Sequence, residues 1–520
     1  MKSAIIEHAL LSFLFAICAG LVLLQALPAT NLPSRDGGVY SYIGREIVRG
    51  KLPYVDAWES KPPGIFYLNA LAITLGGRWS IWLFEYVFLF AAVWLGYLVM
   101  RKWWGDVAAL VATLLWLLSL NIVLFGGNFT EEYSLPFSFL AFYLFSSSLG
   151  KEKTQPYDFF IGLTGGLSFL LRPNNIGVQV AIGLTILLFG LRQKEYLQTF
   201  TRLSMLGVGF VLPFVAFVAY FASQQALQPM LDAALFYNFS YTGEHAEPIS
   251  AIQMGFFFLN ITAVTALLGY FTILFTVRRK IEITHTMQWY VLLLICWPIE
   301  ILLSSLSGRS YNHYFICWLP ALSLLCAFTV NCYGKRFTTL LSNRPLLTYS
   351  FLVVILLIGA GPNLKPYLDA VGNLTAGKEL PQMIDPVSAY VQEHTKPTDK
   401  VLVWGAQAGI NFLSQREAPT AYFLYPLFIP SPVTIPMADR FLLDIKDNPP
   451  ELIVDAFFYA AGEEIFYSLD PEIRQRQENA TQPDSRVFSA HNLDDVFDFI
   501  ESHYHTEIKI ESTQIYRYDP

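Results

Sequence analysis

Long apolar runs alternate with short polar connections over most of the chain. Many of these runs approach the roughly 20 residues that an α-helix needs to cross the hydrocarbon core of a bilayer. This pattern predicts a bundle of membrane-spanning helices rather than a water-soluble core. Eleven crossings are predicted near residues 4–28, 79–100, 106–125, 134–150, 157–171, 174–191, 203–222, 254–277, 287–306, 314–333 and 346–361.

The charged residues divide the chain into two domains. Of the 520 residues only 14% are charged, against about 25% in an average soluble protein, which excludes an ordinary soluble enzyme. Residues 1–362 carry 22 basic and 17 acidic side chains, and residues 363–520 carry 12 and 24. We therefore predict a membrane domain over 1–362 and a soluble domain over 363–520. The basic residues of the membrane domain are few and are separated by long apolar runs, which argues against nucleic acid as a partner.

The orientation follows from the loops that carry lysine and arginine, because such loops stay in the cytoplasm. Basic clusters fall in alternate loops, for example at Arg101 and Lys102, at Lys151 and Lys153, and at Arg278 and Arg279. This alternation predicts a cytoplasmic N-terminus and an extracytoplasmic domain over 363–520. We expect a multi-pass protein of a bacterial cell (inner) membrane.

One apolar stretch, residues 64–77, is too short to span comfortably and follows two prolines. A crossing there would place every later basic cluster outside, so we expect a helix lying in the membrane surface. The predicted outer loop, residues 32–78, then holds interfacial helices near 37–50 and 64–77. In the first, Tyr40, Ile43 and Ile47 share a face opposite Arg45 and Arg49, as an in-plane amphipathic helix requires.

Residues 363–520 alternate strand and helix patterns, which predicts a soluble α/β domain. No phosphate-cradling loop, nucleophile elbow or metal-ligand spacing is found in this part of the sequence. The predicted elements are strands at 401–405 and 451–456, helices at 437–445 and 493–503, and paired strands over 507–518.

Polar side chains collect on the predicted outer side. Charges are costly inside a bilayer, so such a collection points to function. Outer loops that are distant in sequence can meet above the bundle, which predicts an active site at the outer membrane surface. The candidates are Asp36, Glu59, Lys61, Glu131, Glu132, Arg172, Arg309 and His313.

The first outer loop resembles that of the GT-C membrane glycosyltransferases. The matching stretches are Arg35-Asp36-Gly37-Gly38, Gly50-Lys51-Leu52-Pro53-Tyr54 and Lys61-Pro62-Pro63. The similarity is greatest to the branch of protein O-mannosyltransferases and lipid-A aminoarabinose transferases. It continues through Glu131-Glu132 and His313-Tyr314 and covers the membrane domain.

This resemblance implies an inverting transfer of a sugar from a polyprenyl-phosphate donor to an acceptor hydroxyl on the non-cytoplasmic face. Asp36 matches the family's candidate general base. The acceptor hydroxyl must lose a proton as it attacks, which one well-placed carboxylate can accept. The alternative role for Asp36 is to cap a helix that begins near Gly37.

The donor is an anionic lipid, so cationic side chains should hold its phosphate. Lys61, Arg172, Arg309 and His313 are the candidates, and Lys61 matches the family's lysine before a proline pair. Their alternative roles are those of interfacial side chains: snorkelling for Lys61, surface anchoring for Arg172 and contact with Tyr311 for His313.

Glu131, Glu132 and Glu59 are candidates for orienting the acceptor or binding a divalent metal, the one cofactor left open. Ser60 separates Glu59 from Lys61, whereas the aminoarabinose transferases have an acidic residue next to the lysine. This difference counts against metal binding by Glu59. Gly37 follows Asp36, where the protein O-mannosyltransferases have a second acidic residue. This departure weakens protein as the acceptor.

Three other interpretations stay open at this point. A transporter or flippase would also have many spans, but it needs ionisable groups near the midplane, and Glu85 and Glu300 lie nearer the outer end of their spans. A membrane glycosidase would use Asp36 with Glu131 or Glu132 as an acid and base pair. A scaffold protein would leave the polar outer loops without a role.

Overall fold

The computed structural model describes residues 2–238, 248–279, 284–306, 308–334, 365, 367–423, 434–456, 467–480 and 493–520. The chain divides into two compact units. The first comprises residues 1–31, 81–220 and 246–381, and the second comprises residues 32–80, 221–245 and 382–520. The predicted eleventh crossing, 346–361, lies outside the described residues.

The first unit is helical throughout its described part. Eight of the described helical segments are long and apolar enough to cross a membrane. The runs predicted at 134–150 and 157–171 are also helical, and the total number of crossings stays a prediction. The helices that lie wholly or largely in this unit are α1 (Lys2–Val22), α3 (Gly64–Trp104), α4 (Asp106–Val123), α5 (Thr130–Ser148), α6 (Gln155–Leu171), α7 (Gly177–Gln193), α8 (Tyr196–Ser223), α10 (Pro248–Arg279), α11 (His285–Ser305) and α12 (Leu319–Tyr333).

Helix α3 is interrupted at two glycines. Gly76 has φ 172° and ψ 31°, and Gly77 has φ 62° and ψ −141°. Residues with a side chain rarely adopt the backbone angles of Gly77. The interruption falls where the sequence predicts the end of an interfacial helix and the start of a crossing. The helical stretch that begins at Gly64 therefore ends where the sequence predicts.

Glycines allow α6 and α8 to pack in direct backbone contact. A Cβ at Gly162 would come within 1.9 Å of the Leu206 carbonyl oxygen, and one at Gly209 within 2.0 Å of the Phe159 carbonyl oxygen. Small residues at such contacts are typical of membrane helix pairs, which associate through close packing. The same two helices are joined by an ion pair between Arg202 and Asp158 at 2.9 Å.

The second unit contains the outer loop and the residues of the C-terminal part. Its short elements before the sheet are α2 (Arg35–Val48), the first turns of α3, and α9 (Leu227–Leu231), which continues into a π-helical turn at Asp232–Phe236. The C-terminal elements are α13 (Pro386–His394), β1 (Val401–Trp404), α14 (Gly409–Ser414), α15 (Thr434–Asp447), β2 (Leu452–Asp455), α16 (Pro471–Ala480), α17 (Asp494–His503), β3 (Tyr504–Ile510) and β4 (Thr513–Tyr518).

The four described strands form one mixed sheet in the order β1-β2-β4-β3. Strands β1 and β2 are parallel, and β4 is antiparallel to both β2 and β3. Val403 pairs with Val454, which pairs with Ile515 on the other side, and these side chains belong to one buried cluster with helix α13. The predicted helices and strands of this region are confirmed where the structure describes them.

The outer-loop helix α2 departs from its predicted surroundings. An in-plane membrane helix would leave Arg45 among head groups or water, but every residue from Gly37 to Glu46 is buried. Arg45 is 6% exposed, because this side chain of α2 packs on the C-terminal residues of the same unit. The predicted amphipathic pattern is present, but Arg45 on the polar face contacts the C-terminal residues instead of the membrane surface.

Candidate active-site residues

Asp36 lies in the first turn of α2 and is half-buried. The helix begins at Arg35, two residues before Gly37, where the capping alternative places its start. Ser34 is the N-cap, and its Oγ accepts the N–H of Gly37 at 3.1 Å. The capping role proposed for Asp36 therefore belongs to Ser34. The positive end of the helix dipole stabilises the ionised form of a carboxyl group in this turn.

Glu59 and Lys61 form a local pair in the same loop. Glu59 is buried, and its Oε1 accepts both the N–H and the hydroxyl of Ser60. The Lys61 ammonium lies 3.8 Å from that oxygen. Asn238 donates to the Ser60 carbonyl at 2.9 Å, so this part of the loop is held at its backbone. Glu59 thus serves as a partner for Ser60 and Lys61.

Arg172 and Glu131 form a buried ion pair in the first unit. Arg172 ends α6 and Glu131 lies in the first turn of α5. Nη1 of Arg172 donates to Oε1 of Glu131, and Thr130 donates to the other oxygen at 2.9 Å. The guanidinium carbon lies 3.7 Å from the ring centroid of Tyr314, a cation–π distance. Arg172 is 8% exposed, so the anchoring role at the membrane surface is wrong.

Glu132 lies one residue further along α5 and is fully buried. Its Oε2 accepts the N–H of Phe129 at 3.5 Å, which closes the start of the helix. The N–H of the preceding Asn128 donates to Oε1 of Glu85, and Asn128 Oδ1 accepts the hydroxyl of Tyr133 at 3.1 Å. Glu85 and Glu132 therefore secure the backbone that precedes Glu131.

His313 packs against the aromatic rings of Phe129, Tyr311 and Tyr314. Its imidazole stacks on Phe129 with a centroid distance of 4.3 Å and on Tyr311 with 5.9 Å, with interplanar angles of 6° and 5°. The predicted contact with Tyr311 is present. Arg309 lies in the segment without regular secondary structure before the 3-10 helix Asn312–Trp318. Arg309 and His313 therefore do not lie on the same helix.

The described residues do not assemble a metal site. No group of three or more His, Cys, Asp or Glu side chains is placed to hold a metal ion within the described part of the chain. Glu131 is already paired with Arg172, and Glu59 with Ser60 and Lys61. Divalent metal binding by Glu59, Glu131 or Glu132 therefore stays a prediction from the sequence.

Two groups of residues in this region were not found from the sequence. Tyr314 was noticed only as the neighbour of His313, and nothing in the pattern indicated its contact with Arg172. Arg45 and Glu46 form a buried ion pair at 2.7 Å, although Arg45 was predicted on the polar face of an in-plane helix. Burial lowers the pKa of the Arg45 guanidinium, and the adjacent Glu46 carboxylate opposes that shift.

The fold matches solved membrane-protein structures over the full chain. The crystal structure of ArnT from Cupriavidus metallidurans bound to undecaprenyl phosphate aligns with a TM-score of 0.60 at 13% identity, covering 97% of each chain. The apo state of the same protein aligns with a TM-score of 0.58 at 14% identity, over 88% of this chain and 95% of the other. The chain is a multi-pass membrane protein with the GT-C fold, which confirms the resemblance in the first loop at the level of fold.

A family model covers most of the membrane part. The family described as "Putative competence-induced protein Ccs4 N-terminal domain" matches residues 5–356, and the chain belongs to this family. A comparison with curated proteins finds no match.

Proposed function

We propose that this protein is an inverting glycosyltransferase. It moves a sugar from a polyprenyl-phosphate donor to an acceptor hydroxyl at the outer face of a bacterial inner membrane. Asp36 is the general base.

The observation that carries this proposal is the likeness to ArnT. It extends over 97% of both chains, so it includes the outer loop and the C-terminal part as well as the helices. The aligned ArnT structure is bound to undecaprenyl phosphate. A lipid carrier of that kind stays dissolved in the bilayer, and a multi-pass chain can present polar side chains to its head group at the membrane surface.

The chemistry requires one displacement. The acceptor oxygen attacks the anomeric carbon while its proton passes to a carboxylate oxygen of Asp36. The bond between the anomeric carbon and the phosphate oxygen breaks, and its electron pair leaves with the phosphate. A single displacement inverts the anomeric centre. Because phosphate is a stable anion, the leaving group needs charge stabilisation rather than a general acid.

Arg172, Lys61, Arg309 and His313 are the proposed donors to the phosphate. Arg172 is the strongest of these candidates, since a guanidinium carries five N–H donors and the described pair with Glu131 uses Nη1. Glu131 and Tyr314 would fix its orientation without removing its remaining donors. His313 would offer a ring nitrogen from a stacked, immobilised imidazole.

The acidic candidates receive supporting roles in this proposal. Glu131 orients Arg172, and Glu132 holds the turn in which Glu131 lies. The Glu59 carboxylate holds the Lys61 ammonium close to the outer loop. None of these roles requires a metal.

The test is transfer by the purified protein in detergent with a panel of polyprenyl-phosphate sugars and hydroxyl acceptors. We expect Asp36→Asn to reduce turnover by about 10²- to 10⁴-fold, the usual contribution of a general base, with little change in donor affinity. Asp56→Asn is the matched control, because Asp56 is an exposed aspartate of the same loop whose carboxylate accepts the N–H of Leu52. An amide can still accept that bond, so this variant should keep wild-type turnover.

Equal turnover by the wild type and Asp36→Asn would remove Asp36 from the mechanism. Absence of transfer by the wild type, together with movement of the intact donor across a reconstituted bilayer, would replace the proposal by a flippase. Release of free sugar to water without an acceptor would instead indicate a glycosidase.

A further inference from the structure

The buried arginine of α2 links that helix to the C-terminal part of the second unit. Nη1 of Arg45 donates to the Asn411 carbonyl at 2.7 Å and to the Phe412 carbonyl at 3.3 Å, and Nη2 donates to the Arg416 carbonyl at 2.9 Å. These carbonyls lie at the end of α14, where Gln415 adopts the left-handed conformation with φ 62°. The Asn411 and Phe412 carbonyls also accept the backbone N–H groups of Arg416 and Gln415, so Arg45 adds side-chain donors to the C-terminal turn of α14 and ties it to α2.

The charge of Arg45 is neutralised inside the same contact. Glu46 Oε1 accepts Nε at 2.9 Å and Nη2 at 2.7 Å. Glu46 is 3% exposed, so both ions are withdrawn from water. A buried pair of this kind adds little net stability, but removing one member leaves an uncompensated buried charge. The arrangement is suited to fixing a geometry.

Two further contacts fix the same helix on the same C-terminal segment. Gly38 lies against Gly409, where a Cβ on Gly38 would come within 2.8 Å of the Gly409 Cα. The Tyr42 hydroxyl accepts the N–H of Ala418 at 2.9 Å. Helix α2 is therefore held at both of its ends, near Asp36 by Gly38 and near its last turn by Arg45.

We propose that the C-terminal domain positions the general base, with Arg45 as the positioning residue. This inference rests on the proposed function, because it assigns a role relative to Asp36. The two residues are nine positions apart on one helix, which is about 14 Å along its axis, so Arg45 acts through the helix rather than on the reacting atoms. Helix α2 packs on the α14 segment, residues 409–416, and these contacts hold it in place.

The kinetic test compares Arg45→Met and Arg45→Lys with Arg49→Met. Arg49 is the matched control, because it also pairs with Glu46, at 3.2 Å, but its side chain is 38% exposed. We expect Arg45→Met to lower kcat by about ten- to a hundredfold, since a displacement of about 1 Å can have that effect, with KM for the donor within twofold. Arg45→Lys should recover part of the loss, because it keeps the charge but not the planar fork.

A double variant separates positioning from a general structural effect. If Arg45 acts through Asp36, Arg45→Met should not lower the residual rate of Asp36→Asn any further, whereas a structural role would lower both backgrounds by the same factor. Equal factors would overturn the inference.

Hydrogen exchange of residues 35–48 gives a readout independent of activity. We expect faster exchange in Arg45→Met than in the wild type and no change in Arg49→Met. Unchanged exchange in Arg45→Met would overturn the positioning role. A wild type without transfer activity would overturn the proposed function, and the exchange rates would then decide by themselves whether Arg45 holds the helix.

Discussion

Arg172 and Glu131 show how strongly a residue's role depends on its neighbours. In the sequence they are two charges at the ends of different helices, and the alternative role given for Arg172 was anchoring at the membrane surface. In the structure Arg172 is buried, paired with Glu131 and set against Tyr314. Local patterns cannot reveal such a pair, because helix-end charges look alike whether they face water or each other.

This pair predicts a non-additive effect on stability. Arg172→Met and Glu131→Gln should each destabilise the protein in detergent, by about 3 to 5 kcal/mol where a buried charge loses its partner, with the smaller effect in Glu131→Gln because an amide still accepts a hydrogen bond. The double variant should be less destabilised than the sum of the two. Thermal and denaturant unfolding measure all three.

Arg279→Met provides the control for that cycle, since Arg279 is exposed at the end of α10. It should unfold like the wild type. Strict additivity of the Arg172 and Glu131 effects would show that the two side chains do not stabilise each other.

At the level of elements, the contact between α2 and α14 is asymmetric, and this asymmetry can be tested. A Cβ on Gly38 would meet backbone atoms of Gly409 at 2.8 and 3.0 Å, whereas a Cβ on Gly409 would lie 3.7 Å from the Gly38 Cα. Gly38→Ala should therefore displace α2 from α14 and lower the free energy of unfolding by about 1 to 3 kcal/mol. Gly409→Ala should be close to neutral.

Both alanine variants change the same contact by one methyl group, so each controls for the other. Melting temperature and hydrogen exchange of residues 35–48 are the measurements. Equal destabilisation by the two substitutions would show that the predicted clash is relieved elsewhere.

Periodicity predicts the elements well and their partners poorly. The helices at 134–150 and 157–171, the start of the helical stretch at Gly64 and the strands at 401–405 and 451–456 all follow from apolar patterns. The burial of α2 does not follow, because its polar face is complementary to carbonyls of a segment hundreds of residues away. Asp36 was one of several polar candidates on the outer side, and its match to a general base came from the family resemblance. Ser34 as the true N-cap needed the backbone geometry.

For the whole molecule, the distribution of basic loops predicts which surface each polar segment faces. In right-side-out bacterial spheroplasts, a membrane-impermeant maleimide should label Val55→Cys and Ser502→Cys, both exposed positions. Lys153→Cys, also exposed, should react only after permeabilisation. The parent protein is the blank, since its five cysteines are buried or partly buried. Labelling of Lys153→Cys in intact spheroplasts would reverse the orientation.

Arg45 and Asn411 are 366 residues apart, and this separation sets an order of events during synthesis. At about 5 to 20 residues per second, the ribosome needs roughly 20 to 70 s to make the second partner after the first. Until then Arg45 and Glu46 lack the segment, residues 409–416, that buries them in the folded protein. A chain terminated before residue 409 would already contain most of its membrane helices. Its helix α2, which carries Asp36, would lack its contacts with α14. Under the proposed function, Asp36 would reach its catalytic position only after residues 409–416 have been made.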